Sequence, residues 1–304
     1  MGMEQRATLH GASPAARLTK GAARFAFNAM RFARRKPLGF LGLAICATAI
    51  VLGLFPGLFI TEEPSYGGNF RARLQSPSAS HWFGTDDQGR DVYSRIVQGT
   101  RVSLQVSIMC IGLGSFSGFL LGIMAGYFGG WLDLILLRMI DSMLAFPGIL
   151  LALTLVAVLG VGLKSVIIAV GIVFIPAATR VTRGTVLSVK QNVYVDAARV
   201  IGASDIRIML RHILPNVVAP FLVVASVALG SAILIEASLS FLGLGVPPPY
   251  PSWGRSLSGN ARQFAMTAPW LVIAPGAAIS VLVLGFNLFG DALRDIWDPK
   301  LRGR

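Results

Sequence analysis

Residues 38–60 (LGFLGLAICATAIVLGLFPGLFI) contain no charged side chain. A helix needs about 20 such residues to cross a hydrocarbon core about 30 Å thick, and in that core every backbone polar group must be paired inside the segment. This run restricts the chain to a membrane-spanning helix, and it is not the only one. Residues 102–125, 143–163, 217–235 and 270–289 are also free of charge. Residues 165–179 form a shorter run ending near Pro176, which adds a sixth span that can extend through a snorkelling Arg180. Composition agrees: 54% of the residues are hydrophobic and only 13% are charged, against about 25% charged in a soluble domain. The expected fold is an all-α polytopic membrane protein with six transmembrane helices.

Orientation follows from the loops. Eight Lys/Arg residues precede the first span against one acid, Glu4. Six lie within 180–216 against Asp196 and Asp205. Basic loops stay in the cytoplasm, so both segments face inward, and six spans bring the basic C-terminal LRDIWDPKLRGR inward as well. The expected organisation is a cytoplasmic N-terminal tail (1–36), a first span (37–60), an extracytoplasmic loop with a short helix (61–101), a five-span core (102–290) with a cytoplasmic loop at 180–216, and a cytoplasmic C-terminal tail (291–304). The first apolar run, about 23 residues, is longer than the 7–15 of a signal-peptide core, so it reads as an uncleaved span. Upstream, ARFAFNAMRFARR has the spacing of a surface-lying amphipathic helix, with a disordered basic tail as the alternative. In the outer loop 240–269, Tyr250 and Trp253 suit a membrane-interface position.

The net charge of +13 is spread between apolar spans rather than gathered on a soluble domain. It therefore points to headgroups and cytoplasmic loops, not to nucleic acid. Cys46 and Cys110 sit inside apolar runs as buried thiols, with no metal-ligand spacing around them. His10, His81 and His212 are far apart, so no zinc site and no nucleophile–base pair forms. GVGLKS (160–165) lacks the G-x-x-x-x-G-K-[ST] spacing of a phosphate loop, and Lys164 faces outward. No catalytic residues and no metal or cofactor site are expected in this chain.

Three polar or small-residue features remain within the spans. Gly114, Gly118, Gly122 and Gly126 recur every four residues and align on one helix face. They let another backbone approach, within the bundle or at a subunit interface, the former being favoured. Arg138 and Asp141 are spaced to pair on one helix face as a structural ion pair. Glu236 lies at the outer end of the fifth span, either as a functional intramembrane carboxylate or as a partly hydrated structural one. Span centres otherwise hold no charge, which argues against a proton- or sodium-coupled secondary transporter and against a channel.

The cytoplasmic stretch YVDAARVIGASDIRIMLRHILPN (194–216) breaks this apolar pattern. Asn192 can cap a short helix ending near Gly202. Ser204 and Asp205 suit the start of a second helix reaching His212, and Pro215 is expected to stop it before the fifth span. Val200, Ile201, Ile206, Met209 and Leu210 would be stranded in water on such a hairpin unless a groove or the membrane surface received them.

DAARVIGASDIRIMLRHILP resembles the EAA loop of ABC-importer permeases: Asp196, Ala197, Ala198, Gly202, Leu214 and Pro215 match in register. Asp stands for the usual Glu, and His212 occupies a position where the family prefers Ile. From about Arg34 onward, FGTDDQGRDVYSRIVQGTRVSL, LAFPGILLA, EASLSFLGLGVPPPYPSWG and FNLFGDALRDIWDPKLR are similar to the C-type permeases of dipeptide/oligopeptide importers, including glutathione importers. The resemblance implies the type I ABC-importer permease fold in a bacterial inner membrane and a peptide substrate, with nickel or another small solute as the alternative. It implies that Asp196, Ala197, Ala198, Gly202, Ser204, Asp205, His212, Leu214 and Pro215 form a coupling helix for a separate ATPase. The partners implied are a homologous second permease, two cytoplasmic ATPases that bind ATP and Mg, an extracytoplasmic substrate-binding protein and membrane lipid.

Overall fold

A computed structural model describes residues 36–61, 69–248 and 250–297. The N-terminal amphipathic stretch and the last residues of the C-terminal tail lie outside these. Among the described residues the regular secondary structure is helical apart from one isolated bridge between Thr85 and Asp91. The elements are α1 (Pro37–Leu54), α2 (Val92–Phe128), α3 (Gly130–Leu144), α4 (Gly148–Leu159), α5 (Leu163–Lys190), α6 (Val193–Val200), α7 (Asp205–Ile208), α8 (Leu214–Phe241), α9 (Trp253–Ser256), α10 (Asn260–Gln263) and α11 (Trp270–Trp297). A π-turn, Met209–Ile213, joins α7 to α8.

Five helices are long and apolar enough to cross a membrane, and the bent pair α3–α4 makes a sixth span if counted as one. The expected third span, 143–163, is not a single helix. The chain turns by 92° between α3 and α4, because Pro147 biases Phe146 away from helical geometry and itself takes an extended ψ of 130° ahead of α4. With 12 residues, α4 is roughly 18 Å long and does not cross the core alone.

Prolines elsewhere do not interrupt. The expected span 165–179 continues through Pro176 to Lys190 as α5, so the first part of the expected cytoplasmic loop 180–216 is helix. A membrane helix tolerates the lost hydrogen bond when neighbours cover the gap, and Pro176 is buried in the bundle.

The bundle is held by backbone proximity as much as by side chains. The principal helix–helix contact is α2 on α5, along the face that carries the glycine stripe. A β-carbon at Gly118 would lie 2.5 Å from the Ile175 carbonyl oxygen, at Gly122 2.6 Å from Thr182 Cβ, and at Gly126 2.8 Å from Val186 Cβ. At Gly114 it would strike the Gly171 carbonyl. No side chain fits between these helices, and close van der Waals contact is the main attraction available inside lipid. Two apolar clusters flank this seam: one joins α2, α4, α5 and α8 around Val106, Ala152, Val170 and Leu239, and the other joins α1, α2, α8 and α11 around Cys46, Ile233 and Phe286. Leu38, Leu54, Phe116, Ile149 and Ile273 point outward, as lipid-facing side chains do.

At the outer end, Trp253 is buried rather than at the interface. Its indole N–H donates to the Ile96 carbonyl at 2.9 Å, and its ring packs against Gly99. Trp270 likewise donates to the Thr85 carbonyl at 3.1 Å.

A candidate docking hairpin at the cytoplasmic end

The hairpin is built on the inner ends of α2 and α5. Asn192 occupies the N-cap backbone position of α6, but its side-chain amide donates back to Val189 O at 2.9 Å and does not cap the helix. The C-terminus of α6 closes with two bonds: Gly202 N–H to Arg199 O (2.9 Å) and Ala203 N–H to Ala198 O (3.0 Å). Together they form a Schellman motif, which needs a left-handed residue at the first position past the C-cap. Gly202 supplies it with φ +78°. Among the described residues, its chain neighbours aside, nothing lies within 4 Å of a β-carbon placed there, so conformation rather than crowding demands glycine.

After Ser204 the chain turns into α7 and does not stop at Pro215. Leu214 N–H bonds to Met209 O, five residues back, in a π-turn. Pro215 has no N–H, and its ring would collide with the carbonyl four residues earlier in an α-helix; the wider turn relieves both problems. The expected break is therefore a continuation, and Asp205–Phe241 forms a 37-residue helical rod.

One face of the hairpin is anchored. Val195, Ile208 and Ile213 are fully buried with Phe119, Tyr127, Val186 and Val217. Tyr127 Oη donates to Asp205 Oδ1 at 2.6 Å, and Lys190 Nζ donates to the Tyr127 carbonyl at 2.6 Å. Ala198 is buried and Leu214 packs on the same cluster. The other face is open: Val193, Val200, Ile201 and Ile206 are 66–87% exposed. Asp196 and Ala197 lie on the open side, with Arg199 Nη1 3.3 Å from Asp196 Oδ1. His212 lies between the two faces. It is half-buried, with its ring 5.9 Å from Tyr194 and its carbonyl accepting from Asn216 Nδ2 at 2.7 Å.

Two ion pairs beside the hairpin were not anticipated. Arg183 grips Asp133 with two bonds of 2.5 and 2.6 Å, and Arg180 Nη2 reaches Asp141 at 2.5 Å. The expected Arg138–Asp141 pair is replaced by this cross-helix pairing, which pins α3 along α5. The spacing carried the signal: Asp133 and Asp141 lie two helical turns apart on one face, opposite arginines three residues apart.

Glu236 is fully buried, not partly hydrated. Its Oε1 accepts from Ser240 Oγ at 2.7 Å and its Oε2 from Ser103 Oγ at 3.4 Å, which ties α8 to α2. Among the described residues no group of three or more His, Cys, Asp or Glu is placed to hold a metal ion.

Residues 118–303 match the family described as binding-protein-dependent transport system inner membrane component. The chain belongs to this family. The permease therefore has the type I ABC-importer fold and is a multi-pass inner-membrane protein. It is 45% identical over 275 residues, 90% of each chain, to the dipeptide transport system permease protein DppC of Alkalihalophilus pseudofirmus. It is 48% identical over 228 residues, 75% of each chain, to the glutathione transport system permease protein GsiD of Pectobacterium atrosepticum. To GsiD of Escherichia coli O157:H7 it is 49% identical over 270 residues, 89% of each chain.

Proposed function

We propose that this permease carries half of the translocation path of an ABC importer for short peptides, and that the α6–α7 hairpin docks into a groove of a separate ATPase subunit. The observation that carries the docking role is the open face of the hairpin. Four large apolar side chains project into water from two short helices whose opposite face is anchored, and α7 runs without a break into a membrane span. A short amphipathic helix in a groove is an established recognition mode, and burying apolar side chains stabilises such a complex by roughly 1.5–3 kcal/mol each. A push on the hairpin then travels along the Asp205–Phe241 rod to the outer side of the membrane.

Peptide as the substrate class is supported by relatives named for dipeptides and for glutathione, each covering most of both chains. The chain itself performs no catalysis. ATP and Mg are held by two partner ATPases, a homologous permease supplies the other wall of the path, and an extracytoplasmic binding protein delivers the substrate. Asp196, Ala197 and Gly202 lie on the docking side, whereas Ala198, Asp205, His212 and Leu214 hold the hairpin in shape.

The test is ATP-driven uptake of a labelled dipeptide by proteoliposomes containing the assembled importer. Asp196→Lys and Gly202→Leu are each expected to abolish uptake while membrane insertion is unchanged, the first by altering the docking face and the second by forbidding the left-handed turn. Uptake that survives both changes would exclude the docking role. Retention of the ATPases by the purified wild-type permease pair, with their loss in the variants, separates failed docking from failed transport.

A further inference from the structure

The outer end of the molecule carries a cavity remote from the hairpin. Residues 86–96, at the entrance to α2, and residues 250–261 enclose a cavity of about 420 Å³ with Pro248 and with Leu271 and Pro275 of α11. Arg90, Arg95 and Arg255 line it together with Asp86 and Asp87. Among the described residues that line it, three guanidiniums stand beside two carboxylates.

Asp86 is already heavily used. Its Oδ1 accepts the backbone N–H groups of Gln88 (2.8 Å) and Arg90 (2.9 Å), and its Oδ2 is shared between Arg90 Nε at 2.7 Å and Arg95 Nε at 3.6 Å. Arg255 comes from a segment far along the chain and donates to the neutral Val246 carbonyl at 3.1 Å. Burial first, and then the like charge of Arg90, push its guanidinium below the ordinary arginine range. A guanidinium offers five N–H donors in a rigid fork matched to a carboxylate. Among the described residues the Arg255 side chain bonds only to that neutral carbonyl, which leaves donors of its fork for a further acceptor in the recess.

We propose that this cavity is a carboxylate-binding subsite on the extracytoplasmic face, taking the C-terminal carboxylate of a peptide on its way into the path. Naming a peptide as the source of that carboxylate rests on the reading of the preceding subsection. The geometry favours a small ligand over an acidic protein surface. The volume falls in the range of about 300–1,000 Å³ typical of small-molecule sites. The side chains of Arg90 and Arg95 are only 19% and 11% exposed, within reach of a chain end but not of a flat surface. Tyr250 is exposed on the cavity wall and offers an aromatic face to the rest of the ligand.

The experiment uses the membrane complex of both permeases and the ATPases in nanodiscs, with the binding protein omitted, titrated calorimetrically with glycylglycine and with glycylglycine amide. The wild type is expected to bind the free carboxylate about tenfold more tightly than the amide, the size of one charge-assisted hydrogen-bonded contact, and acetate is expected to compete. Arg255→Gln is expected to reduce glycylglycine to the level of the amide, and Arg255→Lys to recover part of the difference. Retained ATPase subunits and basal ATP hydrolysis show that the variants are assembled. Equal binding of the two ligands by the wild type overturns the subsite, and so does full discrimination by Arg255→Gln. If, in a separate assay with the binding protein added, Arg255→Gln weakens its docking while ligand discrimination stays intact, the cavity is a protein contact and the subsite is likewise overturned. A complex that discriminates at Arg255 yet takes up no peptide in proteoliposomes retains the subsite and refutes the peptide reading.

Discussion

A carboxylate with no solvent contact between two membrane helices is costly unless its lone pairs are used. Glu236 uses them on Ser240 of its own helix and Ser103 of α2. Removing the acid strands two buried hydroxyls, a loss of about 1–3 kcal/mol for each unsatisfied group. Glu236→Ala is therefore expected to lower the thermal unfolding midpoint of the detergent-solubilised importer clearly. Glu236→Gln, which keeps the shape and the acceptor oxygen, is expected to cost much less. Equal losses would show that charge, not hydrogen bonding, is what this site requires. Gly118 poses the opposite problem, since a side chain there has nowhere to go. Gly118→Leu is expected to cost at least the 1–3 kcal/mol of an overpacked core, read by the same unfolding measurement. The glycine spacing was legible in the sequence because a period of four defines a helix face. The burial of Glu236 was not, because no local pattern announces Ser103, 133 positions away.

At the scale of elements, legibility follows the length of the apolar run. The spans at 102–125, 217–235 and 270–289 each fall on one long helix, and the run 38–60 falls on an 18-residue helix that ends at Leu54, ahead of a 3-10 turn at Pro56–Leu58, because long uncharged runs leave no other way to satisfy the backbone in lipid. Prolines divided the readings. Pro147 breaks a run that hydropathy presents as continuous, whereas Pro176 and Pro215 sit in helices that continue. Hydropathy averages over direction, so it does not register a 92° turn, and the sequence alone does not show whether neighbours cover a missing N–H. The π-turn at Met209–Ile213 is the element-scale device with a functional consequence. It sets the rotation of the hairpin relative to the span, because one residue of register turns a helix by about 100°. Pro215→Ala removes the reason for the wide turn. Uptake is expected to fall while membrane insertion and ATPase retention persist, and undiminished uptake would show that the turn is incidental. The Arg183–Asp133 bridge can be tested by exchange: Arg183→Asp alone should destabilise α3 against α5, by about 2 kcal/mol for lost charge-assisted bonds. Adding Asp133→Arg should restore part of the loss in the unfolding midpoint.

At the scale of the whole molecule, the rod from Asp205 to Glu236 spans roughly 47 Å at 1.5 Å per residue. It links the open hairpin on one side to the serine-clamped carboxylate on the other. Near that outer end lie the loops that carry the arginine-lined cavity, so one continuous helical rod connects the proposed ATPase-docking surface with the proposed carboxylate subsite. Such a lever works only if its ends lie on opposite sides of the membrane, an arrangement derived from the distribution of lysine and arginine. A membrane-impermeant maleimide tests it. The native thiols Cys46 and Cys110 are buried, so they should contribute little background. Ser204 is exposed on the hairpin and Met266 is exposed in the outer loop. M266C is expected to label in intact spheroplasts and S204C only in inside-out vesicles. The reverse pattern would invert the topology and with it the docking reading. With the ATPase subunits bound, S204C is expected to become protected even in inside-out vesicles, while M266C keeps its outward reactivity. Labelling of S204C at an unchanged rate in that complex would place the ATPase contact somewhere other than the hairpin.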